Sequence, residues 1–484
     1  MNQRQLSTAL LGLGCISSAM AAQKPNLLVI HTDEQNFRTL SCYQNQLPED
    51  QAFVWGKGVN STTPNIDRIA AEGAICMNYY CSSPVSTPSR GSMVTGLYPQ
   101  HTGAPINGMM IREDIPTFAT ILSDNGYSTS YVGKWHLAGD DKKYDFNIKY
   151  KAGFADNRYM MTAGHAPYLR KTDDGMVGVN KKQGAKVDME KEGLVHMTDY
   201  FTDATLEIID RDKDKPFCIM VSIPDPHTPD VARAPYDTMY NHLTPEIPYT
   251  MRDEIADQRP AWGGARGSRN EADEFKPVSL LQYFGMVKHI DDCVGQMIAR
   301  LEEHGILDNT IVVFTSDHGD LFFEHRRMNK DKPYAASSLI PFVIRYPEKI
   351  TAGRVMNGAY VNTDFAPTIL SLMGVESDAK FHGEDTAADF MAKKDSKQML
   401  SRYVEFGECT GSWVALADSR YKLVLSRDEK PWLFDLESDP HEIVNQYSKS
   451  KYEGISKQMQ TELNRQLELF ESPALYKDKA PLIQ

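Results

Sequence analysis

The sequence is short of positive charge: 52 Lys and Arg stand against 65 Asp and Glu, a formal net charge of −13 over 484 residues. A nucleic-acid partner needs a basic surface to neutralise phosphates, so this balance argues against one. It does not exclude a small anionic substrate, which feels only the field of its own pocket. Membrane-length apolar runs are missing too. The run Leu6 to Ser18 follows Arg4 and ends at Ala19-Met20-Ala21; it is too short to span a bilayer and has the layout of an export signal over residues 1–22. Cysteine is sparse: Cys15, Cys42, Cys76, Cys81, Cys218, Cys293 and Cys409, with no CxxC spacing. Losing Cys15 with the signal leaves no dense disulfide framework. One bridge, for example Cys76 with Cys81, is compatible with export, and buried free thiols are expected for most of the others. Internal repeats and low-complexity tracts are absent. These absences describe an exported protein, periplasmic or secreted, with no integral membrane segment.

What is present is ordinary globular composition, 41% hydrophobic and 24% charged, in a chain too long for one compact core. Pro25 to His31 is a buried strand that runs into the polar loop Thr32-Asp33-Glu34-Gln35. Thr310 to Thr315 is a second, followed at once by Ser316-Asp317-His318-Gly319-Asp320. Before it, Tyr283, Met286, Val287, Ile290, Val294, Met297, Ile298 and Leu301 recur at helical spacing, and Gly305 stops the helix. Helix, turn and buried strand in succession predict an α/β layer architecture, in which ligands collect beyond the carboxyl ends of strands. Both acidic clusters fall there. The segments 140–200 and 228–276 are polar and aperiodic, suited to pocket walls; Tyr168, Arg170, His242 and Trp262 are candidates to line them. After Gly374 the pattern changes to short strands, Tyr421 to Leu425 and Trp432 to Leu436, and a closing helix from about Tyr452 to Phe470. The expected division is a large domain over 23–374 and a smaller α+β domain over 375–484.

The chemistry centres on Ser86-Thr87-Pro88-Ser89-Arg90-Gly91. A serine ahead of a helix is ordinarily only an N-cap, yet a helix start with an arginine in its first turns also suits an anion. In context the segment resembles the signature of type I sulfatases, in which a Cys or Ser before x-Pro-x-Arg is oxidised to formylglycine. Thr63-Pro64-Asn65-Ile66-Asp67-Arg68, Gly133-Lys134-Trp135-His136-Leu137, Asp364-Phe365-Ala366-Pro367-Thr368 and Phe434-Asp435-Leu436 with Asp439-Pro440 resemble further landmarks of that family, in order along nearly the whole mature chain. The resemblance implies an alkaline-phosphatase-like sulfatase fold: a central mixed sheet in the large domain plus the smaller C-terminal α+β domain.

The resemblance also implies roles. Ser86 becomes 3-oxoalanine, whose hydrate attacks sulfur and later expels sulfate. Arg90 and Lys134 hold the hydrate and the sulfate oxygens, and His136 deprotonates the second hydroxyl. His227 and Lys330 contact sulfate and protonate the leaving oxygen. Asp33, Glu34, Asp317 and His318, with the modified Ser86, form the metal set. Carboxylate oxygens favour calcium; the nitrogen of His318 keeps manganese in view, and whether Glu34 or Gln35 ligates stays open. His325 and Arg326 are candidates for substrate recognition. His31, His101, His289, His304 and His441 read as structural. The implied substrate is a sulfated carbohydrate, an algal polysaccharide or a glycosaminoglycan oligosaccharide, and the implied partner is a formylglycine-generating maturase. Two alternatives remain: a phosphonate or phosphodiester hydrolase of the same superfamily, or a poorly active binder of sulfated glycans if Ser86 stays unmodified.

Overall fold

The computed structural model describes residues 24–139, 142–264, 268, 270–427 and 429–473. The expected export signal, with Cys15, lies outside them. Among the described residues fifteen strands are formed, in chain order β1 (Asn26–Thr32), β2 (Ala74–Tyr80), β3 (Ser128–Lys134), β4 (Asp156–Met161), β5 (Tyr168–Thr172), β6 (Gly175–Val179), β7 (Val195–His196) and β8 (Phe217–Ile223). They continue with β9 (Thr310–Ser316), β10 (Phe342–Arg345), β11 (Arg354–Val361), β12 (Val404–Gly407), β13 (Trp413–Ala417), β14 (Tyr421–Ser426) and β15 (Trp432–Asp435).

Eight strands make the central sheet, in the order β11-β2-β10-β9-β1-β8-β3-β4. β1 lies in its middle, parallel to β8 and β9, while β10 runs antiparallel to both β9 and β2, so the sheet is mixed as expected. All seven residues of β1 are buried because both faces are covered. Side chains of a strand alternate between faces, and the sequence uses that period: Leu28 and Ile30 enter one core, Leu27 and Val29 the other. The first core is closed by the helices Met197–Asp212 and Pro277–Glu303, which contribute Phe201, Ile208, Tyr283, Ile290 and Val294. The second is closed by Ser86–Thr95, Phe118–Asp124 and Phe365–Leu372.

β12 to β15 form an antiparallel meander. One face, including Phe406, Trp413, Val424 and Phe434, completes the first core, and the other packs Val414, Leu423 and Leu433 on Met459, Leu463 and Leu467 of the helix Glu453–Leu469. The segment 375–403 sends Ala387, Phe390 and Met399 into the second core, so it packs with the large layer rather than with this meander. Of the two irregular segments, the described residues of the first supply β4 to the edge of the central sheet and the small sheet β6-β5-β7, and those of the second form short helical turns. Among the described residues no helix is long and apolar enough to cross a membrane.

The Cys76–Cys81 bridge does not form; both are free and buried. Five residues of extended chain separate their Cα atoms by about 16 Å, far beyond disulfide reach.

Candidate active site

The site is assembled at the carboxyl ends of the central strands. β1 delivers Asp33 and Glu34, and β9, in register Thr32↔Ser316, delivers Asp317 and His318 beside them. The Glu34 N–H donates to Asp317 Oδ1 at 3.1 Å, and Glu34 holds a left-handed backbone at φ 65. A non-glycine residue in that region costs free energy and is over-represented at functional sites. β3 delivers Lys134. Its neighbour Gly133 has φ +95, and a Cβ there would lie 2.0 Å from the Ser222 carbonyl of β8, so only glycine permits this approach. β8 leads to His227 by way of Asp225, whose carbonyl accepts the Asp33 N–H at 3.3 Å. Ser86 opens the helix Ser86–Thr95 and is buried.

Arg90 lies beneath the pocket as a clamp on the carboxylates. Its Nε donates to Asp317 Oδ2 at 3.0 Å, its Nη2 to Asp33 Oδ2 at 3.2 Å, and its Nη1 to Ser222 Oγ at 2.7 Å. The Lys134 ammonium pairs with Asp33 and reaches His165 Nε2 at 2.6 Å. Burial pulls Lys134 down to about 8 against the attraction of Asp33. Burial alone would raise the Asp33 carboxyl, but the cations Lys134 and Arg90 hold it well below its usual range. Ser86 Oγ lies 3.0 Å from His318 Nε2 and 3.5 Å from Lys330 Nζ. Lys330 in turn is 3.4 Å from Glu34 Oε2, and His227 Nε2 is 2.9 Å from the same oxygen. His136 joins through its carbonyl, which accepts Thr87 Oγ1 at 3.0 Å. Burial and the charges of Lys134 and Arg90 hold its imidazole well below the usual range, so the ring is neutral.

The donor set fits a divalent cation. Asp33 Oδ1 and Glu34 Oε1 are buried without a hydrogen-bond partner among the described residues, which for carboxylate oxygens is costly unless a cation completes them. Ligand atoms of Asp33, Asp317 and His318 lie within 4.8 Å of one another. His318 Nδ1 faces the Gly319 carbonyl at 3.0 Å and so carries the ring proton, leaving the Nε2 lone pair aimed into the cluster. Burial lowers that imidazole to about 4. Glu34 turns its carboxylate toward Lys330 and His227; the Gln35 amide nitrogen is held by Thr39 and the Asn36 carbonyl, while its Oε1 is buried without a hydrogen-bond partner among the described residues.

Three other convergences of ligand atoms do not suit a cation; in one of them, Asp199, His289 and Cys293, Arg233 already pairs with Asp199. Between Asp33, His165 and His227 the Lys134 ammonium already contacts Asp33 and His165. In the set His196, Asp225 and His289, His196 Nδ1 accepts the Thr198 N–H at 3.3 Å, which places the ring proton on Nε2, and Arg233 lies 2.7 Å from Asp199 beside His289.

The structure thus brings together Asp33, Glu34, Ser86, Arg90, Lys134, His136, His227, Asp317, His318 and Lys330. His325 and Arg326, the candidates for substrate recognition, make their contacts away from this group. A run of left-handed residues, Phe322, Phe323, His325 and Arg326, turns the loop. His325 stacks on Tyr334 at 3.5 Å, and Arg326 pairs with Asp253. Trp262 is buried against Tyr334 and Trp432. Two residues at the site carried no sequence signal of their own, and the first is His165, stacked on His227 at 3.6 Å and bonded to Lys134. It lies inside the aperiodic segment expected to wall the pocket. Asn107 is the second, its Oδ1 accepting the Thr87 N–H at 3.0 Å next to Ser86.

Comparison with known proteins agrees with this geometry. Residues 25–375 match the Sulfatase family, and residues 322–468 match the N-sulphoglucosamine sulphohydrolase C-terminal family. An N-acetylglucosamine-6-O-sulfatase of Bacteroides thetaiotaomicron is 26% identical, over 98% of this chain and 92% of its own length. A choline-sulfatase of Rhizobium meliloti is 27% identical, over 88% and 83% respectively. A solved structure in complex with its substrate, D-glucosamine-2-N,6-O-disulfate, superposes with a TM-score of 0.74 at 21% identity, covering 96% of this chain and all (100%) of the other. With the family match spanning most of its length, this chain belongs to the sulfatase family and is a sulfuric ester hydrolase of the alkaline-phosphatase-like fold.

Proposed function

We propose that the chain is an exported, periplasmic sulfatase that removes sulfate from a glycosaminoglycan-type oligosaccharide, using a Ser86 matured to formylglycine and one calcium ion. The observation that carries the reading is the position of Ser86: at a helix start, its Oγ within 3.5 Å of both His318 Nε2 and Lys330 Nζ, beside orphaned carboxylate oxygens. The sugar class rests on the N-acetylglucosamine-6-O-sulfatase relative and on the structural neighbour that holds a glucosamine disulfate.

Asp33, Glu34, Asp317 and His318 would hold the cation together with the matured residue 86, and when bound it would neutralise charge on the sulfate oxygens. The formylglycine hydrate would supply the attacking hydroxyl and a second one for sulfate release, a route closed to unmodified serine. The other residues divide the remaining work. Arg90 fixes the two aspartates in their orientation, and Lys134, poised near 8, meets the sulfate as a cation while anchored on Asp33. Neutral His136 takes a proton from the residue-86 side. His227 and Lys330, both against Glu34, deliver a proton to the departing sugar oxygen. The maturase is a partner during biosynthesis.

The test is the mass of the tryptic peptide Ile69 to Arg90 from protein made in its native host. Loss of two hydrogens at Ser86 is expected, with turnover of sulfated glucosamine derivatives in calcium buffer. An intact serine in protein from that host sinks the mechanism and leaves a glycan binder.

A further inference from the structure

The loop that carries Lys330 is held from two sides. On one side the Asn329 carbonyl accepts the Leu321 N–H at 2.7 Å, and the Asp331 N–H donates to the Pro84 carbonyl at 3.2 Å, just ahead of Ser86. On the other side the C-terminal meander takes over. Lys422 of β14 donates from Nζ to the Pro333 carbonyl at 2.7 Å, and Glu442 Oε2 accepts the Ala335 N–H at 2.6 Å. Lys422 and Glu442 are also ion-paired with each other, their side chains 0% and 2% exposed. Glu442 sits in a left-handed backbone at φ 55, which fixes its direction at some conformational cost. A pair buried this deeply gains little net stability, because removing two charges from water offsets their attraction, and apolar residues of like volume would pack as well. Stability alone therefore does not account for it. What distinguishes the pair is that both members reach backbone groups of one loop, the loop that presents Lys330.

We propose that Lys422 and Glu442 are positioning residues for Lys330. They fix the Pro333–Ala335 end of its loop so that Nζ stays 3.4 Å from Glu34 and 3.5 Å from Ser86 Oγ, at the place where the leaving oxygen takes its proton. The proposal rests on the sulfatase reading above. It gives the C-terminal meander a part in proton delivery although neither residue contacts the pocket residues around Ser86. A shift of about 1 Å in a group of this kind is enough to lower a rate by orders of magnitude.

Proton delivery matters most when the leaving oxygen is a poor leaving group, and this separates positioning from general damage. The full-length, matured protein would be prepared in calcium buffer as Lys422→Met, Lys422→Met/Glu442→Leu, Lys330→Met and Lys330→Met/Lys422→Met. For each, kcat and KM are measured on a sugar sulfate and on 4-nitrophenyl sulfate, whose phenolate leaves without help. Lys422→Met is expected to lower kcat on the sugar sulfate by roughly 10-fold or more while changing the aryl sulfate less than about 3-fold, with KM little altered. Adding Lys422→Met to Lys330→Met is expected to cost nothing further, because the positioned group is already gone. Where Lys422→Met alone fails to fold, the double replacement, which leaves no unpaired charge, is read in its place and is expected to show the same selective loss. Equal losses on both esters, multiplying losses with Lys330→Met, or no loss at all would each overturn the positioning role. A wild-type protein inactive on both esters overturns the sulfatase reading and the positioning with it, whereas an active one with unselective variants overturns the positioning alone.

Discussion

At the scale of single residues, His165 shows how much of the site depends on one imidazole. Its Nε2 faces the Lys134 ammonium and its ring lies flat on His227, so it braces Lys134 and His227 together. His165→Ala is expected to lower kcat roughly 10- to 100-fold, with Asn, which keeps a polar contact, falling between; steady-state kinetics on a sugar sulfate checks this. A second residue gives a pH signature remote from the site. Burial pushes the Glu405 carboxyl of β12 up to about 8 from an ordinary 4.5. Between those values the folded chain keeps a proton that the unfolded chain has lost. Its contribution to stability therefore falls as pH rises through that window and levels off above it. Glu405→Gln is expected to raise the thermal midpoint above that of wild type at pH 9, by the equivalent of a few kcal/mol on the order of the linkage relation. The gain should shrink toward pH 5, as scanning calorimetry at the two pH values would reveal. His165 itself was not legible in the sequence, since a histidine between Gly164 and Ala166 has no periodic or spacing signal. The residues that motifs could supply, such as Lys134 and His227, sit where strands end, and a strand end can be read from an apolar run.

At the scale of elements, the same logic explains what could be foreseen and what could not. β1 and β9 were legible because each is an unbroken apolar run that stops at a carboxylate, and the register between them needs no more than their shared length. The helix behind them was readable from Tyr283 onward. Its actual start at Pro277 adds residues in which Leu280 is buried in line with Tyr283 and Phe284 while Val278 is 56% exposed, so the apolar stripe reaches back to Leu280 and the proline marks the start. The inward turn of His325 and Arg326 was hidden for a different reason: it depends on left-handed backbone at non-glycine residues, which side-chain pattern does not encode. Two substitutions test the elements. Gly133→Ala would drive a methyl group into β8 and is expected to cost roughly 3 kcal/mol and most activity by displacing Lys134; urea unfolding with parallel assays measures both. Ile290→Ala, fully buried on the long helix, is expected to cost about 2 to 4 kcal/mol while leaving kcat of the folded fraction close to wild type.

At the scale of the whole molecule, the fold draws its site from most of the chain, with Asp33 near one end and Lys330 separated from Ser86 by 244 positions. A cation at the carboxylates would therefore tie distant segments together. Removing it with a chelator is expected to abolish turnover and lower the thermal midpoint, and excess calcium to restore both. At one hundred times its dissociation constant the gain is about 2.7 kcal/mol. Division of the molecule was only coarsely legible: the switch to short strands marked the C-terminal meander, but nothing in residues 375–403 announced that Ala387, Phe390 and Met399 belong to the larger core.

The burial of Ser86 has a consequence in time. In the finished fold it is 1% exposed, roofed by His318 from a segment made 232 residues later and by the still later Lys330. An enzyme that must grip this stretch of backbone to oxidise it finds no handle once β9 has docked. On the proposed maturation, oxidation of Ser86 would compete with folding, and its deadline would be set by the arrival of the second half of the polypeptide. A chain that folded before that meeting would keep its serine for the rest of its life.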